Sequence, residues 1–260
     1  MKRVLAKGTP TGRDLTRREM LGLIGAGAAA LASGTYVRSA GGEPADTSVQ
    51  TPTAIAAAIP SCVVRPQQTE GPYFVDEKLS RRDIRTDPSD GSAKSGVPLR
   101  LTFRVSRIDR TVCVPLAGAI VDVWQCDALG VYSDVRDMNG LFDTRGKKFL
   151  RGHQVTNANG IAEFITVYPG WYQGRAVHIH FKIRTDPASQ RGYEFTSQLY
   201  FEESTTDDVH AQAPYSTKGR RSTTNATDGI FRSGGSQLML QLVKDGQGYA
   251  GAFDIALQLP

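Results

Sequence analysis

From Cys62 onward, apolar and polar residues alternate along short runs, and a period of two places successive side chains on opposite faces of an extended strand. After the breaker Pro98, Leu99, Leu101, Phe103 and Val105 alternate with Arg100, Thr102, Arg104 and Ser106, which predicts a half-buried strand. Ala119, Val121 and Val123 predict a second, Phe164 and Thr166 a third, and Val177, Ile179, Phe181 and Ile183 a fourth. Further strands are expected through 195–201, 238–243 and 253–259, and Asn159-Gly160 marks a tight turn. No long helical periodicity interrupts them. The pattern predicts an all-β fold, a β-sandwich of mainly antiparallel strands with long connecting loops that carry function. Two polar connections, 76–96 and 207–233, are expected to frame a pocket or contact another subunit.

Composition changes this picture mainly at the N-terminus. The net charge of +5 would invite a nucleic-acid reading, but seven of the 31 basic and two of the 26 acidic residues fall within 1–40, so the remainder carries equal numbers of each sign. No basic stripe interleaved with aromatics is present, which speaks against a nucleic-acid partner. Basic residues 13–18 precede an apolar Gly- and Ala-rich run, 20–32, that is too short to span a bilayer or to make a stable anchor. Thr16-Arg17-Arg18-Glu19-Met20-Leu21 is similar to the twin-arginine motif read by that export machinery. The expectation is a twin-arginine signal over 1–40, a flexible linker over 41–60, a catalytic domain over 61–260, and a periplasmic or extracellular location. An oxidising compartment permits a disulfide among Cys62, Cys113 and Cys126, and spacing leaves the pairing open.

The candidate chemistry starts at His178-Ile179-His180, because residues two apart on a strand project from one face and bring two imidazoles together. Alone, this pair is weak evidence for a metal site, since two polar residues on a solvated strand face are the commoner case. Just upstream, Pro169-Gly170-Trp171-Tyr172-Gln173-Gly174-Arg175 delivers a phenol and a guanidinium close to the histidines. Farther back, Val121-Asp122-Val123-Trp124-Gln125-Cys126-Asp127-Ala128-Leu129-Gly130-Val131-Tyr132 reads as a strand running into a turn that carries a second tyrosine. Trp124 reads as a core aromatic.

These two segments, with Phe149-Leu150-Arg151-Gly152 and Thr69-Glu70-Gly71-Pro72-Tyr73, resemble the intradiol ring-cleavage dioxygenase family, which includes the catechol, hydroxyquinol and protocatechuate enzymes. The likeness covers about 62–201. It implies a non-haem Fe(III) ion held by Tyr132, Tyr172, His178 and His180, with Tyr172 the tyrosinate that yields to substrate and Tyr132 the one that stays. It further implies that Arg175 stabilises developing negative charge, that Gln198 lies near the reacting carbons, and that Gly71, Pro72 and Tyr73 bound the substrate pocket. The implied partners are a catechol-type aromatic and dioxygen, and the implied product is a cis,cis-muconate-type diacid containing both oxygen atoms. The helical dimerisation domain of the familiar catechol enzymes has no counterpart in 41–60, so the chain resembles the exported single-domain members, and whether it forms a homo-oligomer is left open. A noncatalytic sugar-binding sandwich or a copper or zinc hydrolase would not call for two tyrosines in this order.

Overall fold

The computed structural model describes residues 62–186 and 192–260; the expected export signal and linker lie outside the described residues. Two sheets form the sandwich. The first is built on β1 (Pro98–Asp109), whose expected alternation buries Leu99, Leu101, Phe103 and Val105. One edge of β1 pairs antiparallel first with β5 (Ile161–Val167) and then with β2 (Val112–Pro115). Its other edge takes β9 (Gly248–Leu257) in parallel, and β8 (Leu242–Asp245) closes that side. The second sheet runs β4 (Arg151–Val155), β3 (Ile120–Trp124), β6 (His178–Thr185) and β7 (Tyr193–Tyr200), all antiparallel.

The core lies between the sheets. Phe181 of β6 sits 5.1 Å from Phe103 and 5.5 Å from Phe253, ring centroid to ring centroid, so aromatic rings from both sheets meet in one cluster. Because Ile179, Phe181 and Ile183 face this cluster, His178, His180 and Lys182 are forced onto the opposite face of the same sheet. That outer face is covered by loops. Register then sets neighbours: Trp124 of β3 pairs with His180, which pairs with Gln198 of β7, while His178 pairs with Tyr200.

Three features depart from the sequence pattern. Strands β2 and β4 carry no apolar alternation; β4 reads Arg-Gly-His-Gln-Val and is held by ladder bonds and by the segment 79–84, which joins both sheet edges through Arg81 N to His153 O, Ile84 N to Ile165 O and Leu150 N to Ile84 O. The 207–233 connection is not structureless. It holds the end of α1 (Glu203–His210), a 3-10 turn at Tyr215–Lys218 and α2 (Gly229–Arg232), and the elements bury too few apolar residues to leave a periodic stripe. Leu238, expected in a strand, ends a second 3-10 turn before β8. The Asn159-Gly160 turn forms, with Gly160 at φ +72° and so close to Val105 that a β-carbon would stand 2.2 Å from its carbonyl oxygen; it carries the chain from one sheet to the other rather than closing a hairpin.

Cys62 and Cys113 form a disulfide that pins the start of the described chain to β2, and Cys126 is buried and unpaired. The bridge spans 51 residues of sequence, and cross-linking a loop of that size restricts the unfolded chain. Replacing both cysteines with serine is expected to lower stability by about 2 to 4 kcal/mol. Urea unfolding of the oxidised wild type beside the double variant reads this directly, and coincident midpoints would refute it.

Candidate metal centre and substrate cavity

The four side chains singled out on the sequence meet on the outer face of β6. His178 Nε2 lies 3.0 Å from His180 Nε2, 3.2 Å from Tyr172 Oη and 3.5 Å from Tyr132 Oη. His178 Nδ1 stands 2.6 Å from the Ala176 carbonyl, which can only accept, so Nδ1 carries the proton and Nε2 presents a lone pair. Three polar atoms therefore crowd a single lone pair, which can accept one hydrogen bond well. Burial pushes the His178 imidazolium down to about 3 and holds His180 well below the usual histidine range, so both rings are neutral. Burial also pushes the Tyr132 and Tyr172 phenols above the ordinary tyrosine value.

These donors fit a cation. Two ligands each about 2.1 Å from one ion stand about 3.0 to 3.4 Å apart at right to tetrahedral angles, close to the separations found around His178 Nε2. A positive ion in their midst would use both imidazole lone pairs and reverse the burial effect on the phenols. Among the described residues no group of three or more His, Cys, Asp and Glu side chains gathers, so the set is two imidazoles and two phenols rather than an ordinary zinc site.

These side chains are supported locally. His180 stacks on Trp124 with ring centroids 4.9 Å apart and planes 5° apart, which makes the expected core aromatic also the floor of the site. Gly71 stands close to the same ring: at φ +73°, its β-carbon would come within 3.2 Å of His180 Cε1. Arg151 is buried and donates to Ser133 Oγ at 2.8 Å and to the Tyr73 carbonyl at 3.3 Å, fixing the turn next to Tyr132 against the 69–74 segment. Lys218 donates to the carbonyls of Leu129 and Trp171 and so ties the loop before Tyr132 to the loop before Tyr172.

A cavity of about 710 Å³ opens in front of Tyr172, bounded by Gly71, Pro72 and Tyr73 on one side and by Trp171, Gln173 and Arg175 on another. Tyr172 lines it and is half-buried, whereas Tyr132 lies fully buried behind. Tyr73 donates to Asp137 Oδ1 at 2.6 Å, and its phenol is pushed up to about 12 by burial and by that carboxylate. Gln198 does not line the cavity. It is fully buried, donates from Nε2 to the Thr69 carbonyl at 2.9 Å, and accepts from Arg175 at 2.5 Å and from Tyr200 Oη at 3.0 Å.

Sequence reasoning missed Asp228. This buried carboxylate accepts from Arg175 Nε at 3.0 Å and from the Ala176 amide at 2.9 Å, and caps α2 by accepting from the Ile230 amide at 2.7 Å. An Asp before Gly229-Ile230-Phe231 is a readable helix-start signal, but nothing in the sequence joins it to Arg175. Lys218 and Tyr200 were missed for the same reason.

Residues 69–223 match the family model described as Dioxygenase. A solved intradiol ring-cleavage dioxygenase from Tetranychus urticae superposes with a TM-score of 0.64 at 30% identity, covering 76% of this chain and 95% of its own. Among curated proteins, chlorocatechol 1,2-dioxygenase of Pseudomonas putida is 33% identical over 106 residues, covering 34% of this chain and 36% of that protein. Catechol 1,2-dioxygenase 1 of Acinetobacter lwoffii is 28% identical over 156 residues, covering 50% and 45%. The chain thus spans less than half the length of these two curated relatives. Fold and site define a two-sheet sandwich that gathers two histidines and two tyrosines beside an open cavity. The chain belongs to the intradiol ring-cleavage dioxygenase family.

The Asp228–Arg175 pair generates a stability prediction. Burial opposes ionisation of Asp228, but the Ala176 amide, the Arg175 guanidinium and the Ile230 amide outweigh it and hold the carboxyl below the usual aspartate value. Because the folded value is depressed, this contribution is present above the unfolded aspartate value of 3.8 and is lost as pH falls through the folded one. Asp228→Ala should cost about 3 kcal/mol at neutral pH by leaving Arg175 without its partner, and the deficit should shrink in acid. Chemical denaturation at several pH values tests this; a deficit that does not change with pH would contradict it.

Proposed function

We propose that this chain is a non-haem Fe(III)-dependent dioxygenase that opens a catechol-type ring between its two hydroxylated carbons, yielding a cis,cis-muconate-type diacid. The observation that carries the reading is the shared meeting point of Tyr132, Tyr172, His178 and His180, of which Tyr172 lines an open cavity. Hard phenolate oxygens favour a trivalent ion over the softer divalent metals. Two relatives named for the 1,2-cleavage of catechols lend support from outside the structure. When bound, ferric iron would supply Lewis acidity and an electron sink toward the diol.

The protein residues do the rest. Tyr172, which lines the cavity, would be the ligand to yield to an incoming diol, and its oxygen would be placed to take a proton from a substrate hydroxyl. Tyr132, buried behind, would remain as a ligand. Arg175 keeps its charge: although burial opposes it, the neighbouring Tyr172 and Asp228 hold its guanidinium above the ordinary arginine value. With Nε on Asp228 and one terminal nitrogen on Gln198, it is fixed at the cavity wall to stabilise negative charge that develops on the ring. Gln198 acts through Arg175 and Thr69 as a positioning residue. Gly71, Pro72 and Tyr73 line the same cavity as Tyr172 and Arg175 and bound the space the diol would enter. Work outside the cytoplasm, after passage through the twin-arginine machinery, suits the Cys62–Cys113 bridge, which persists in oxidising surroundings.

Iron-loaded protein is expected to show a reddish-brown colour from tyrosinate-to-iron charge transfer and to consume one dioxygen per ring opened. Tyr172→Phe should lower kcat by at least about 100-fold, the scale of a lost proton acceptor. His180→Ala should fail to retain iron after dialysis. Oxygen uptake and metal analysis check both; near-normal turnover in the first and full iron content in the second would overturn the assignment.

A further inference from the structure

The cavity is larger and more apolar than a single diol ring requires. Its volume of about 710 Å³ lies in the range of sites that bury drug-sized molecules. Its outer wall is made by Leu129, Met138, Leu141, Phe142, Trp171 and Ile230. Met138 and Leu141 are 75% and 79% exposed, high values for large apolar side chains. They are not on a loose tip. Asp137 accepts from the amides of Asn139 and Leu141, Asp137 N donates to the Phe142 carbonyl, and the same carboxylate takes the Tyr73 hydroxyl, so the turn that presents Met138 and Leu141 is fastened to the wall of the site.

Every charged group lining the cavity is already engaged. Arg175 is held by Asp228 and Gln198, Lys218 by the carbonyls of Leu129 and Trp171, and Asp137 by Tyr73 and two backbone amides. A carboxylate on a ring substituent lying against this turn would meet Asp137, while Arg175 and Lys218 are each already held by other partners. An apolar substituent would find a prepared surface.

We propose that the preferred substrate is an uncharged catechol bearing a bulky apolar substituent, which lies across Met138 and Leu141 while the diol enters beside Tyr172. This rests on the ring-opening reading above. Covering these two side chains is worth about 10-fold in kcat/KM.

The test compares kcat/KM of the iron-loaded full chain for catechol, 4-methylcatechol, 4-tert-butylcatechol, 4-phenylcatechol and protocatechuate, in the wild type and in the double variant Met138→Ser/Leu141→Ser. Both positions are exposed, so the variant should fold, and its melting temperature verifies that. Anaerobic binding of 4-phenylcatechol, followed by tryptophan fluorescence, reads affinity without turnover. The wild type should prefer 4-phenylcatechol over catechol by about 10-fold and disfavour protocatechuate, and the variant should lose that ratio and bind 4-phenylcatechol about 10-fold more weakly. A wild-type ratio near one, a preference for protocatechuate, or a ratio unchanged in the variant would overturn the substrate class while leaving the ring-opening reading intact. A wild-type dimer that the variant converts to monomers would also overturn it, by assigning the turn to contact between copies of the chain. Failure to open any of the five rings would overturn the functional reading itself.

Discussion

A single lone pair on His178 Nε2, faced at close range by another imidazole nitrogen and two phenol oxygens, is the constraint on which the rest of the site depends. Proton bookkeeping offers no good solution to that crowding. The Ala176 carbonyl fixes the His178 tautomer, burial keeps both imidazoles neutral, and burial resists ionisation of both phenols. Buried polar groups without adequate partners are costly, and a cation placed among them satisfies all four at once. The same ion would make phenolates of the tyrosines, which the protein alone disfavours.

The fold holds this arrangement in place with means that are mostly backbone. The two-residue period of β6 sends Ile179, Phe181 and Ile183 into the aromatic core and thereby commits His178 and His180 to the other face. Slipping β6 by one residue would turn the core residues outward and His178 and His180 inward, so packing between the sheets protects the geometry of the site. Across the strands, register lines up Trp124, His180 and Gln198 in one row, which joins the floor of the site to the hydrogen bonds around Arg175. The loops complete it. Lys218 links the two tyrosine-bearing segments, Arg151 clamps the turn beside Tyr132, and Asp228 orients Arg175.

How much of this the sequence discloses depends on the range of the interaction. Alternation reveals β1, β3, β5 and β6, because each has one face in the core, and β6 discloses the histidine pair directly. It hides β4, a polar strand held by the strap at 79–84, and the short helices of the 207–233 connection, which bury only a few side chains. Tyr132 and Tyr172 lie in loops, where no periodicity marks them, and were legible only through resemblance to a family. Asp228 reaches Arg175 across 53 residues and Lys218 reaches Leu129 across 89, and no local pattern encodes either contact. The paired cysteines are likewise brought together by topology: Cys62 meets β2 because the chain entering the domain runs beside β9, where Ala256 N donates to the Val63 carbonyl.

The central claim is that one metal ion sits among four named side chains, and anomalous diffraction at the iron absorption edge from crystals of the iron-loaded protein tests it most directly. The account predicts a single strong peak bonded to Tyr132 Oη, Tyr172 Oη, His178 Nε2 and His180 Nε2. A map with no peak there, or with the iron bound elsewhere on the chain, would contradict it.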